Sequence, residues 1–155
     1  MDNRQAIGSW ISGPRAAAED MGVDFGYRGE RLGLPQEGPG SVAGVGRRFG
    51  ALFIDWALSV LIAYGLLSGG DVPAANNWAL AVFALLTVLT VGTVGSTPGK
   101  RLLGLRVVAE DGSRLTAVRV VLRTLLLVLV VPAVIWDRDG RGLHDRLARA
   151  VQVRI

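Results

Sequence analysis

From Phe49 to Leu67 the chain runs for nineteen residues with a single charge, Asp55. At ~1.5 Å per helical residue this covers roughly 28 Å, against a bilayer hydrocarbon core about 30 Å thick. A second uncharged stretch, Trp78 to Val94, begins with an interfacial aromatic just after Asn76 and Asn77. These two stretches predict membrane-spanning helices over about 49–67 and 78–94. Composition agrees: half of the 155 residues are hydrophobic and only 19% are charged, where a soluble domain carries about a quarter. The absence of cysteine excludes a disulfide framework, a thiolate metal cluster and a cysteine nucleophile.

The residues before Val45 hold nine glycines, three prolines (Pro14, Pro35, Pro39) and no long apolar run, which predicts a disordered or loosely held tail over 1–44 and a membrane domain over 45–155. Ile7 to Ile11 is interrupted by Gly8 and Ser9, so no secretory signal is expected there. The first 46 residues carry four basic and six acidic side chains, whereas Arg47 to Ile155 carries thirteen basic and seven acidic ones. The basic excess therefore belongs to the hydrophobic part. Ser68 to Asn77, between the two spans, has no Lys or Arg, while both outer flanks are basic. The positive-inside rule then places the N-terminus in the cytoplasm.

Leu105 and Val107 alternate with Arg106 ahead of Asp111-Gly112, a strand and hairpin-turn signal. Ala150 to Ile155 alternates as well. Strands over about 103–109 and 150–155 that pair with each other lie on one side of the membrane. Between them, only Thr124 to Trp136 is free of charge, about 20 Å of helix. A full third span would have to bury Arg119 and Arg123 and export Arg138, Arg141, Arg146, Arg149 and Arg154. A re-entrant or shallowly embedded helical segment over about 119–136, bent near Pro132, is the favoured expectation, with a plain third span as the alternative. The expected fold class is an all-α membrane protein, two spans plus that embedded segment, with a small cytoplasmic strand pair and both termini in the cytoplasm.

Chemistry is sparse. Asp55 lies two helical turns after Arg48, so both share a face, and Ser59 continues the polar stripe. An ionised carboxylate at that depth costs a few kcal/mol unless it is paired or wet, so Asp55 is either functional or a clamp for an arginine from the cytoplasmic end. Gly46 and Gly50 form a small-residue pair that permits close helix approach. Thr87, Thr90 and Thr93 cover one side of the second span and are expected to bond their own helix carbonyls. Gly99-Lys100 fails as a phosphate loop, because Val94 stands where glycine is needed and Arg101 where Ser or Thr is needed. His144 is the single histidine, so no histidine metal site forms within one chain, and His144-Asp145 lacks a positioned nucleophile. No cofactor or metal is expected, and no enzymatic activity. The basic residues flank membrane segments without interleaved aromatics, which favours anionic lipid over nucleic acid as their partner.

Taken together, these residues resemble the RDD family of small bacterial membrane proteins, named for one arginine and two aspartates. The match runs from about Val45 to the end: Arg48 at the start of the first span, Asp55 within it, Thr97-Pro98-Gly99-Lys100-Arg101-Leu102-Leu103-Gly104-Leu105-Arg106-Val107-Val108, Asp111-Gly112, Leu122-Arg123-Thr124, Asp145 in Leu143-His144-Asp145-Arg146-Leu147, and the closing Val151-Gln152-Val153. Pro98 and the short third apolar stretch depart from the family pattern. Sixteen arginines against one lysine, with many Ala, Gly and Val, fit a high-GC bacterial genome. The resemblance implies a multi-pass protein of the cytoplasmic membrane and marks Arg48, Asp55 and Asp145. These three are expected to form one electrostatic unit near the cytoplasmic membrane face, with an aspartate paired to Arg48 or to Arg123, which leads the embedded segment and is placed to reach Asp55, and with Ser59, Lys100 and His144 in secondary positions. Two readings of its role stay open. One is an oligomeric membrane component concerned with transport of ions or small solutes. The other is an accessory or scaffolding subunit of a larger membrane complex with a structural Arg/Asp network.

Overall fold

The computed structural model of the protein describes residues 21–22, 26–129 and 141–155. A 3-10 turn, Glu30–Leu32, precedes the first long helix. Helix α1 spans Val45–Ile62 and continues without a break as a π-helical turn over Ala63–Leu67. Its buried residues Arg48, Ala51, Asp55, Ser59 and Ala63 fall three or four apart and so form one stripe. The outward positions, among them Phe53, Leu61 and Leu66, are apolar and exposed. Helix α2, Val72–Val94, runs back against α1 and buries Ala75, Ala79, Phe83, Thr87 and Val91, a stripe with a strict four-residue step. Ala63, Ala75 and Ala79 pack together near the connection. Deeper in the hairpin the rings of Trp56 and Phe83 meet at a centroid distance of 5.8 Å, tilted by 60°.

Both helices are long and apolar enough to cross a membrane, and only 22% of the most apolar window of each is buried within the chain. The second span starts earlier than apolar composition suggests. Asp71 Oδ2 accepts the Ala74 N–H at 2.9 Å and Pro73 occupies the first turn, an N-cap with a proline just inside the helix. Asn76 and Asn77 are therefore helical, and the connection shrinks to Ser68–Asp71. The apolar run alone does not mark this start, because Asn76 and Asn77 interrupt it within the second turn of the helix.

At the other end of the hairpin sits a small cap. Helix α2 stops at Gly95, whose φ of 76° is left-handed and whose N–H bonds Val91 O. A five-residue helix α3, Pro98–Leu102, lies against α1. Strand β1, Leu105–Ala109, follows and buries Leu105, Val107 and Ala109 on one face. Its antiparallel partner is strand β2, Ala150–Arg154, paired from Leu105 with Arg154 to Ala109 with Ala150. The expected strand pair is present, but Asp111-Gly112 does not make a hairpin. The Gly112 N–H closes on Ala109 O and the Ala109 N–H on Ser113 O, after which the chain enters helix α4, Ala117–Val128.

The opposite edge of β2 is also covered. The Gly40 N–H donates to Arg154 O, the Arg154 N–H to Ser41 O and the Ala43 N–H to Gln152 O, and Val42 bridges Val153. The folded unit thus begins ahead of the boundary that glycine and proline content places at residue 45. Small side chains let this backbone close the free edge of β2, so the composition that reads as a loose tail here serves strand protection.

Helix α4 buries Val120, Arg123, Thr124 and Leu127 and leaves Val118, Leu122 and Leu125 exposed. Its twelve residues make ~18 Å of helix, too short for a span by themselves. The bend expected near Pro132 lies outside the described residues. Helix α5, Leu143–Leu147, leads into β2 and packs on α4. Val91, Val107, Ala109, Leu115, Val120, Ala148 and Ala150 form the apolar core that joins α2 to the cap. Since Ala79 is the close-approach residue of the helix pair, Ala79→Leu overpacks it and is expected to cost about 1–3 kcal/mol. The measurement is thermal unfolding in mild detergent, with exposed Leu85→Ala as the variant expected to leave the midpoint nearly unchanged.

Candidate functional site

Where α1 leaves the cap, Asp55 points at the first turn of α3 and is 1% exposed. The Thr97 hydroxyl donates to its Oδ2 in a short hydrogen bond. The Gly99 N–H donates to Oδ1 at 2.7 Å, and Lys100 Nζ stands 3.9 Å from Oδ2. Thr97 Oγ1 also accepts the Lys100 N–H at 3.3 Å, so one hydroxyl both caps α3 and binds the carboxylate. Gly99 is required here for space: a Cβ would stand 2.3 Å from Ala51 O and 2.9 Å from Asp55 Oδ1. Ser59 does not extend the carboxylate network, because its hydroxyl donates to the main-chain oxygen of Asp55 at 2.7 Å. Thr90 and Thr93 likewise bond Leu86 O and Leu89 O within their own helix.

Asp145, on α5, is the second buried carboxylate. Arg123 Nε donates to Oδ1 at 2.6 Å and Gln152 Nε2 to Oδ2 at 2.7 Å, while His144 Nε2 lies 3.4 Å from Oδ1. Burial alone would raise this carboxyl. Arg123 first, then His144, Gln152 and Arg48 together outweigh it and hold Asp145 down at about 2. Lys100 moves the other way in its own class. Burial and the Arg123 charge lower it to about 8, partly offset by Asp55 and Asp145. Lys100 therefore senses both carboxylates and joins the two halves of the cluster electrostatically. A peripheral pair, Arg141 Nη1 with Glu110 Oε1 at 2.5 Å, ties α5's leading residues to the end of β1.

The structure brings Arg48, Asp55, Lys100, Arg123, His144 and Asp145 to one end of the helix hairpin, each no more than 7% exposed. Arg123 does not reach Asp55, as its place ahead of the embedded segment suggested it could. It pairs with Asp145, and Asp55 is served by α3. Sequence reasoning missed Thr97, Gly99 and Gln152 as donors or spacers. Thr97-Pro98 carried an N-cap signal, but nothing local in the sequence says that the same hydroxyl faces a carboxylate 42 residues away. Among the described residues no three His, Asp or Glu side chains converge as metal ligands, and both aspartates are already filled by donors of their own chain.

The RDD family profile matches residues 42–149, which include every charged member of this cluster. The chain belongs to the RDD family. It is 31% identical over 121 residues to YckC of Bacillus subtilis (strain 168), itself an uncharacterized protein, and that similarity covers 68% of this chain and 80% of YckC. No solved structure matches. Family membership and the two long apolar helices make this an RDD membrane protein.

The sign of the pH dependence follows from the two shifts. Asp145 contributes stability that is fully present above the ordinary carboxylate value of 3.8 and lost as pH falls through about 2, worth roughly 2–3 kcal/mol. Lys100 opposes folding below about 8, and that penalty is relieved as pH rises towards 10.5. Asp145→Asn is accordingly expected to flatten the acid limb of a stability profile between pH 4 and 2 while lowering the plateau. Arg123→Gln, which strands Asp145 in the interior, should cost on the order of 3–5 kcal/mol, and Arg123→Met with Asp145→Leu should recover part of it. Folded yield and unfolding midpoint in detergent report both; an additive double variant would show that the pair is not coupled.

Proposed function

We propose that this RDD protein is a non-enzymatic, multi-pass component of the bacterial cytoplasmic membrane that works by assembling with other membrane subunits, its aspartates serving as clamps. The observation that carries this reading is that both oxygens of each carboxylate are engaged by donors of the chain. Asp55 receives Thr97, Gly99 and Lys100, and Asp145 receives Arg123 and Gln152. A carboxylate that exchanges protons or ions needs a free face, and these are instead used to lock α1, α3, α4, α5 and β2 together. Most of the apolar surface of α1 and α2 is turned outward, towards lipid or neighbouring helices. Two helices by themselves enclose no pathway.

A second reading, transport through an assembly of copies, is favoured by one observation. Asp55, Ser59 and Thr87 are buried polar groups inside the apolar hairpin, each at most 1% exposed. Its test is separate from folding: Asp55→Asn that folds and assembles normally but impairs solute movement in vesicles supports transport, and loss of folded protein supports the clamp.

In this proposal Arg47, Arg48, Lys100, Arg101 and Arg106 flank the spans on the cytoplasmic side, the connection 68–71 without Lys or Arg lies outside, and both termini are cytoplasmic. Anionic lipid is the expected neighbour of the basic face. The chain has no cysteine, so single introduced thiols report topology directly. Asp71→Cys in intact cells is expected to react with an impermeant thiol reagent and Arg154→Cys to stay protected; labelling at 154 would export the C-terminus. The native mass in mild detergent separates the modes of assembly. A fixed stoichiometry with unrelated subunits supports an accessory role, a closed homo-oligomer supports transport, and a lone monomer rejects both.

A further inference from the structure

Between α1, α4 and β2 lies a cavity of about 50 Å³, large enough to hold water-sized groups. Arg48, Lys100 and Arg123 line it, together with His144, while Asp55 and Asp145 are not among its described lining residues. The Nε edge of Arg123 is taken by Asp145. Its Nη1 and Nη2 are fully buried and have no hydrogen-bond partner among the described residues. A guanidinium presents five N–H donors in a planar fork, so four of them are left pointing at nothing in a side chain that is 1% exposed. Buried donors are almost always satisfied. An exception of this size, set among other cations, points to a missing acceptor.

One lining group has the opposite character. Gln152 Nε2 donates to Asp145, which fixes the amide and leaves Oε1 buried without a donor. Water can accept from Arg123 and donate to Gln152 Oε1 but brings no charge; an anion that serves both must accept hydrogen bonds from Arg123 and bring an O–H of its own. Chloride and sulfate accept only. Hydrogenphosphate and a protonated phosphate monoester do both, and a bidentate fork matches phosphate geometry. The rest of the wall is apolar, formed by Phe49 and Leu52 on α1 and Leu127 on α4, with Phe49 half exposed at 53%.

We infer that this cavity is a binding site for a phosphate group bearing an O–H, held by the Nη1 and Nη2 donors of Arg123 with Lys100 as a second positive charge and Gln152 Oε1 accepting its proton. The phosphate comes either free from solution or as the headgroup of an anionic lipid whose chains follow the Phe49, Leu52 and Leu127 wall. Either source sets its negative charge against Arg123 and Lys100, which line the cavity. An occupied site also stiffens the junction where α1, α4 and β2 meet, so binding reads out as stability.

The test is the thermal unfolding midpoint of the full chain in an uncharged detergent at pH 6.5. It is titrated with sodium phosphate, sodium sulfate and sodium chloride at matched ionic strength, and separately with dioleoyl phosphatidate against dioleoylglycerol. Phosphate or phosphatidate is expected to raise the midpoint beyond its control. A response to inorganic phosphate identifies a soluble ligand, and a response to phosphatidate alone identifies a lipid headgroup. Arg123→Lys keeps a charge for Asp145 but removes the fork, and should raise the half-effect concentration at least tenfold. Leu52→Trp keeps every charge and narrows the cavity, and should do the same where Arg123→Lys fails to fold. No excess over sulfate, chloride and dioleoylglycerol overturns the assignment, as does an excess that survives Leu52→Trp unchanged.

Discussion

A carboxylate two turns into a membrane helix has to be given donors before the helix can sit in lipid, and in this protein that requirement shapes everything at one end of the molecule. Asp55 cannot move, being part of α1, so the donors come to it. The turn Thr97-Pro98-Gly99-Lys100 supplies a hydroxyl, a backbone N–H and an ammonium within one short helix, and only the missing side chain of Gly99 lets that turn approach the α1 backbone. Once α3 is pinned there, the distance to β1 is two residues, and the sheet is held against the end of the helix pair. The second carboxylate repeats the logic with donors from α4 and β2. Removing a donor from either site exposes the full desolvation cost of the partner.

Lys100 is the point where the two sites meet. It lies near Asp55 yet responds to Arg123 and Asp145 as well, so neither carboxylate can be altered without changing the environment of the other. That coupling explains why residues from five elements, far apart in the chain, are all buried polar groups in so small a domain. Lys100 and Arg123 also line the cavity, and neither carboxylate is among its described lining residues.

The two long apolar helices were legible because nineteen nearly uncharged residues admit few alternatives, and the strand pair because β1 and β2 both alternate. What escaped was long-range or polar. The start of α2 was hidden by Asn76 and Asn77, although Asp71 and Pro73 mark it as a cap. The Asp111-Gly112 turn looked like a hairpin because turn chemistry fixes a local reversal and says nothing about which strand pairs across it. Residues 40–43 looked like tail because small residues suit both disorder and a covered sheet edge. Of the cluster, Arg48, Asp55, Arg123 and Asp145 could be named as charges in membrane-proximal positions, but their pairing could not. One-dimensional spacing puts Arg48 and Asp55 on one helix face; it carries no information on whether Arg123 reaches Asp55 or Asp145.

The same geometry limits what the aspartates can do. A carrier that cycles protons through Asp55 would have to break a bond from Thr97, a bond from Gly99 and the approach of Lys100 in each cycle, releasing α3 from α1 as it did so. Because α3 and β1 are joined through Gly104 and β1 is paired along its length with β2, that release would loosen the cap as a whole. A clamp avoids that cost by keeping the carboxylate permanently engaged, and it is the role that the contacts of Asp55 and Asp145 suit without any further motion.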